Sequence, residues 1–153
     1  RGVGRWGDQL VSLAQAAEAE APLAQVLPLF EAVHATIDDV RGGMAIQQQV
    51  MALSALTRIA ADEYSVAVAG ETMSHLHEYQ DSWGFLRVVE AQVAIMSASA
   101  DVSVAAAATK IMGYIEATNP ALGDIQGQGE FEMRASLIYG AAARIELTAF
   151  GLR

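Results

Sequence analysis

Between its glycine and proline breakers the chain places apolar residues three or four apart, the spacing of a helix face, and no segment makes a convincing strand. These stretches are rich in Ala, Leu, Met, Glu and Gln, which favour helices, and they predict an all-α fold of about five or six helices. A first helix over about 6–20 carries Leu10, Leu13, Ala17 and Ala21 on one face. Pro22 suits the first turn of the second helix, whereas Pro28 either kinks that helix or marks its true start. The second helix carries Leu23, Val26, Leu27, Phe30, Val33, His34 and Ile37 and ends at "RGG" near Gly42.

A third helix over about 44–69 shows the stripe Gln48, Met51, Ala55, Ile59, Asp62 and Val66, with Gly70 as its left-handed cap. The fourth, about 74–97, carries Phe85, Val89, Val93 and Met96. Asp101 caps a fifth over "VSVAAAATKIMGYIEAT", which stops ahead of Pro120 because proline disfavours helical geometry at Asn119. "NPALGDIQGQG" reads as loop, and a last helix over about 130–150 presents Met133, Leu137, Gly140, Arg144 and Leu147. Long helices with short connections pack as antiparallel neighbours, so the expected architecture is an up-and-down bundle. The stripes of the second, third, fourth and sixth helices are expected to face one shared core.

The length of 153 residues and the 53% hydrophobic content suit one domain with a sizeable core. A formal charge of −9 with nine scattered Lys and Arg argues against nucleic acid, whose phosphates require clustered cations. Such a surface suits cations or basic partners. The absence of cysteine removes disulfides, thiolate metal sites, iron–sulfur clusters, thiol nucleophiles and covalent haem. Mean hydropathy is positive, +0.27, but it comes largely from alanine, and no stretch approaches about 18 consecutive apolar residues. The start, "RGVGRWGD", has no initiator Met and no basic-then-apolar leader, and it reads as a processed or excised segment.

Two constellations carry metal-ligand chemistry. On the second helix Glu31, His34 and Asp38 are spaced i, i+3, i+7, and Glu-x-x-His is how helix bundles offer a carboxylate and an imidazole to one ion. No second pair in that order completes a di-iron set, and His34 also reads as a hydrogen-bonded core histidine. The second constellation is "SHLHEYQD", with His75, His77, Glu78 and Asp81. His75 lies one turn from Glu78, and His77 one turn from Asp81. Such a mixed set suits Fe, Zn, Cu or Mn once another element supplies a further ligand. Its plainer reading is acidic decoration of a helix N-terminus, with histidines that cap or face water.

Asp62 and Glu63 sit at the end of the third helix, where the dipole disfavours negative charge, and Arg144 is the cation expected to compensate them. The six methionines are dispersed and read as core filler, although Met with His in a bundle also suits a non-covalent haem. No nucleophile elbow, phosphate loop or H-E-x-x-H motif occurs, which predicts a protein that is not an enzyme.

The stretch from "ALTRIAADEYSVAVAG" to "HEYQDSWGFLRVV" resembles the soluble extracytoplasmic helical region found with bacterial Ftr-type high-affinity iron permeases. The matching positions are Asp62, Glu63, Tyr64, Ala67, Val68, Gly70, Glu78, Tyr79 and Phe85, and "RIEL" in the last helix looks like that region's ending. The permease's own Arg-Glu-x-x-Glu motif does not occur. The resemblance therefore implies association with iron uptake outside the cytoplasm, beside a membrane iron permease either fused or separate, and not the transport step. His75-Leu76-His77-Glu78 also fits the His-x-x-Glu of imelysin-like iron-uptake proteins, whose surrounding pattern is missing.

Together these features predict an extracytoplasmic accessory domain of iron uptake that binds or presents iron, or copper or zinc, through histidine and carboxylate side chains. Two alternatives stay open: a metal-free module docking a permease or redox partner, and a haem-binding electron-transfer bundle.

Overall fold

Six α-helices form within a residue or so to a few residues of where the periodicity places them. The computed structural model describes residues 3–69 and 72–152, with side chains from residue 7 onward. α1 spans Val3–Glu18, α2 Leu23–Gly42, α3 Ile46–Ala67, α4 Leu76–Ser97, α5 Val102–Glu116 and α6 Ala135–Phe150, with a 3-10 turn at Asn119–Ala121. The expected cap at Gly70 lies outside the described residues. Two compact units result, one made of α1 and α2, the other of α3 to α6.

In the first unit α1 and α2 pack as a hairpin. Its turn is a Schellman motif: the Ala21 amide donates to the Ala16 carbonyl and the Glu20 amide to Ala17, both at 3.0 Å. Glu20 adopts the left-handed φ of 51° that this motif needs. Pro22 stands one residue ahead of α2, its carbonyl accepting from Gln25 and Val26, and the helix runs on through Pro28. Thr36 on α2 donates to the Gln9 side chain on α1 at 2.9 Å, and Val33 is the residue α2 buries.

In the second unit α3 packs on α4 and α6, α4 on α5, and α5 on α6, closing an up-and-down four-helix bundle. Its antiparallel course shows in the cross-links from α3. Tyr64 reaches Glu132 ahead of α6, Asp62 reaches Tyr139 in the first turns of α6, and Arg58 reaches Glu146 further along. Asp101 caps α5 as expected, its carboxylate accepting from the Ser103 and Val104 amides.

The buried faces differ from the expected ones on α2, α3 and α6; on α2 Leu23, Leu27, Phe30 and His34 of the expected stripe are exposed. On α3 the core side is Val50, Leu53, Ser54, Thr57, Ala60, Ala61, Tyr64 and Ala67, while Gln48, Met51, Ala55, Ile59, Asp62 and Val66 all face solvent. On α6 the core side is Ile138, Ala141, Ala142, Ile145 and Ala149, and Arg144 and Leu147 are exposed. Small residues explain the choice, because alanine opposite alanine lets two helices approach closely. Ser54 then donates to the Ala142 carbonyl at 2.9 Å and Thr57 to the Leu53 carbonyl at 2.8 Å, so both hydroxyls are satisfied inside the core. On α4 the expected stripe holds for Val89, Val93 and Met96, with Phe85 half-buried at the edge of the core.

Candidate functional site at the acidic end of the bundle

Antiparallel packing brings the C-terminus of α3, the N-terminus of α4, the C-terminus of α5 and the loop ahead of α6 to one end. Two tyrosines organise it. Tyr64, fully buried, donates its hydroxyl to the Ala121 carbonyl and lies 3.3 Å from that of Glu132. Tyr79, also fully buried, accepts from the Gly123 amide at 2.8 Å. Their rings are 6.1 Å apart and tilted by 48°, and Phe131 lies 5.9 Å beyond Tyr79. Burial pushes both phenols above the ordinary tyrosine range, and the Gly123 amide works against that rise at Tyr79.

The loop so held has its own internal frame. Asp124 accepts from the Gln126 and Gln128 amides at 2.9 and 2.8 Å, and its own amide donates to the Gln128 carbonyl at 3.1 Å. Gly123 is required there, since a Cβ would stand 2.2 Å from the Gln128 carbonyl oxygen. On the α4 side, Gln80 donates to the Ile125 carbonyl at 3.3 Å. The carbonyl of Ala67 closes α3 by accepting from the Ser74 amide at 2.9 Å.

The candidate ligands of α4 lie at this end. His75 occupies the N-cap position of α4 in extended geometry, with φ −134°, and makes no capping hydrogen bond through its side chain. His75, His77 and Asp81 are exposed, and Glu78 is half-buried in the first turn, where the helix dipole favours its charge. Among the described residues no three of His, Asp and Glu converge on a point that would hold a metal ion. In the first unit, Glu31, His34 and Asp38 are all exposed. His34 is not a core histidine: its ring lies 4.9 Å from that of Phe30. Asp38 is engaged by Arg41.

Asp62 is not compensated by Arg144. Its carboxylate accepts the Tyr139 hydroxyl at 2.6 Å, and that bond raises the Tyr139 phenol above its ordinary range. Arg144 stands on the solvent face of α6, its guanidinium 5.8 Å from the Tyr114 ring centre. The ion pair between α3 and α6 is Arg58 with Glu146 at 2.9 Å.

The electrostatics of this end are one-sided. Asp62, Glu63, Glu78, Asp81, Glu116, Asp124, Glu130 and Glu132 all belong to it. Arg134 at this end already pairs with Glu132 at 3.0 Å, while Arg58 and Arg87 act on Tyr139 and Tyr79 from further along α3 and α4. Sequence reasoning read Tyr64 and Tyr79 only as members of a resemblance, and the clamp they form on the loop was not foreseen. Its signal is the pair of tyrosines fifteen residues apart across a turn, which points to packing as readily as to a site.

No helix of the described residues is long and apolar enough to cross a membrane. Compared with protein-family models, curated proteins and solved structures, the chain matches none.

Proposed function

We propose that the chain is a binding module without chemistry of its own, which offers the acidic, histidine-bearing end of its α3–α6 bundle to a cation. What supports this is the gathering of carboxylates at that end with His75 and His77 exposed among them. The ligands are spread over a surface, which suits capture and release of a metal ion better than a closed structural site. The resemblance of residues 55–89 to the helical region accompanying iron permeases supports a role in iron uptake outside the cytoplasm, with iron as cargo and a membrane permease as partner. Of the residues that carry the resemblance, Tyr64, Ala67, Val68 and Tyr79 are buried and shape the corner, while Asp62 is exposed and Glu63, Glu78 and Phe85 are half-buried.

Calorimetric titration with Fe(II), Cu(II) and Zn(II), on the wild type and on His75→Ala/His77→Ala, tests the assignment. Affinity is expected to fall as pH drops through about 6.5, where free imidazole protonates, and to be lost in the double variant. Equal affinity in both proteins, or none in either, rejects the cation site. That the ligands do not converge among the described residues favours a second reading in that event: the acidic end docks a basic protein surface without metal. A haemin titration separates the haem alternative, since a bound b-type haem gives a Soret band.

A further inference from the structure

Away from the acidic end, α5 and α6 leave an open groove of about 520 Å³ between them. The two helices touch less than any other adjacent pair of the bundle, and α5 lines the opening with the small side chains of Ala106 and Ala107. Lys110 and Arg144 line opposite walls, and no carboxylate lines either. Elsewhere the described cations are neutralised: Arg41 by Asp38, Arg58 by Glu146, Arg87 by Glu90 and Arg134 by Glu132. Among the described side chains, then, the two cations without a carboxylate partner face the same groove. Lys110 is also the chain's single lysine. In a protein of net charge −9, leaving these two charges uncompensated in one concavity prepares it for an anionic group.

The rest of the wall is largely apolar: Leu147, which is 70% exposed, lines it with Leu152, Ala106 and Ala107. A concavity that joins two cations to apolar side chains left open marks an interaction surface rather than a folding core.

We infer that the α5–α6 groove is a docking site for a segment of a partner protein that carries acidic side chains together with large apolar ones. Lys110 and Arg144 receive its carboxylates, and Leu147 and Leu152 with Ala106 and Ala107 cover its apolar side. A protein segment fits better than an anionic bilayer on two grounds. The cations line a concavity that a flat surface does not enter, and the net charge of −9 repels anionic lipid.

The test is selection of a displayed random dodecapeptide library on the full chain, followed by fluorescence anisotropy with the enriched peptides. Enriched sequences are expected to combine Asp or Glu with Leu, Ile or Phe. Their affinity is expected to fall at least tenfold in Lys110→Gln/Arg144→Gln and to weaken with rising salt. Both side chains are exposed, so the double variant keeps the wild-type circular dichroism spectrum, which is the control. Enrichment of basic or neutral peptides, or equal binding to wild type and variant, overturns the proposal. So does the absence of any enriched peptide; if phosphatidylglycerol vesicles then sediment the wild type and not the variant, a membrane is the partner. His75→Ala/His77→Ala leaves this groove intact, so the outcome is independent of the cation site.

Discussion

The Tyr64 hydroxyl donates to the carbonyl of Ala121, 57 residues later in the chain, and so ties the end of α3 to the turn that follows α5. Ala121 is itself fully buried, so no water replaces that donor if it is removed. Tyr64→Phe is expected to lower stability by about 1–3 kcal/mol, the cost of stranding a buried acceptor. Tyr79→Phe exposes a less buried partner, the Gly123 amide, and is expected to cost about 0.5–1.5 kcal/mol. Urea denaturation of both variants gives the order, and a smaller loss for Tyr64→Phe than for Tyr79→Phe would show that the clamp is not where the energy lies.

The same burial sets a pH dependence. In the unfolded chain a phenol ionises near pH 10, whereas in the fold burial holds the protons of Tyr64 and Tyr79 to higher pH. The unfolded state therefore loses protons first as pH rises. Stability from this source is complete below about pH 10 and declines above it. The midpoint of urea unfolding is expected to be insensitive to pH between about 8 and 9.5 and to fall from about pH 10 upward. The fall is expected to be shallower in Tyr64→Phe, which carries one fewer linked proton. Identical slopes in the two proteins would assign the alkaline effect elsewhere.

The helices and the Asp101 cap were legible because breakers and caps act locally: proline, glycine and an N-terminal carboxylate restrict the backbone wherever they occur. The faces of α3 and α6 were not. On α3 alanines lie on both sides, Ala52 and Ala55 exposed and Ala60 and Ala61 buried, so the large apolar Met51 and Ile59 defined a stripe that solvent covers. The buried stripe runs through Ser54, Thr57, Ala60 and Ala61, and it is selected by closeness of approach to Ala141 and Ala142, a property of the pair of helices rather than of either sequence. Arg144 shows the same failure: one wrong face turned an exposed cation into an expected partner of Asp62. The individual site residues were legible as residue types, but the clamp linking Tyr64 to the 121–132 loop depends on contacts nearly sixty residues apart.

On α4 the face was read correctly, and its depth can be measured. Leu86 is fully buried while Phe85, its neighbour, is only half-buried against the core. Leu86→Ala is expected to cost about 2–5 kcal/mol through lost transfer energy and the cavity left behind. Phe85→Ala, although it removes a larger side chain, is expected to cost less, below about 2 kcal/mol. The reverse order in thermal or urea unfolding would place Phe85 in the core and rotate α4 relative to its neighbours.

Gly123 offers the sharpest test of how the acidic end is held together. Its amide donates to Tyr79, and its Cα faces the Gln128 carbonyl so closely that an added Cβ would stand 2.2 Å from that oxygen and 2.9 Å from the Phe131 ring. Backbone cannot yield as a flexible side chain does, so Gly123→Ala must push the Asp124–Gln128 segment outward. Overpacking of this kind costs about 1–3 kcal/mol, and here the displacement also breaks the Asp124 amide bond to Gln128. Hydrogen exchange is expected to speed up at the amides of Gly123, Asp124, Gln126 and Gln128, whose acceptors all belong to this frame, while the buried stretch of α3 around Ala60 stays protected. Unchanged exchange in the loop would mean that Gly123 is held open by something other than the Tyr79 hydroxyl and the Gln128 carbonyl. If the loop loosens and the metal affinity proposed for His75 and His77 falls with it, loop and α4 N-terminus act as one presenting surface. Loosening with affinity unchanged would confine cation binding to α4.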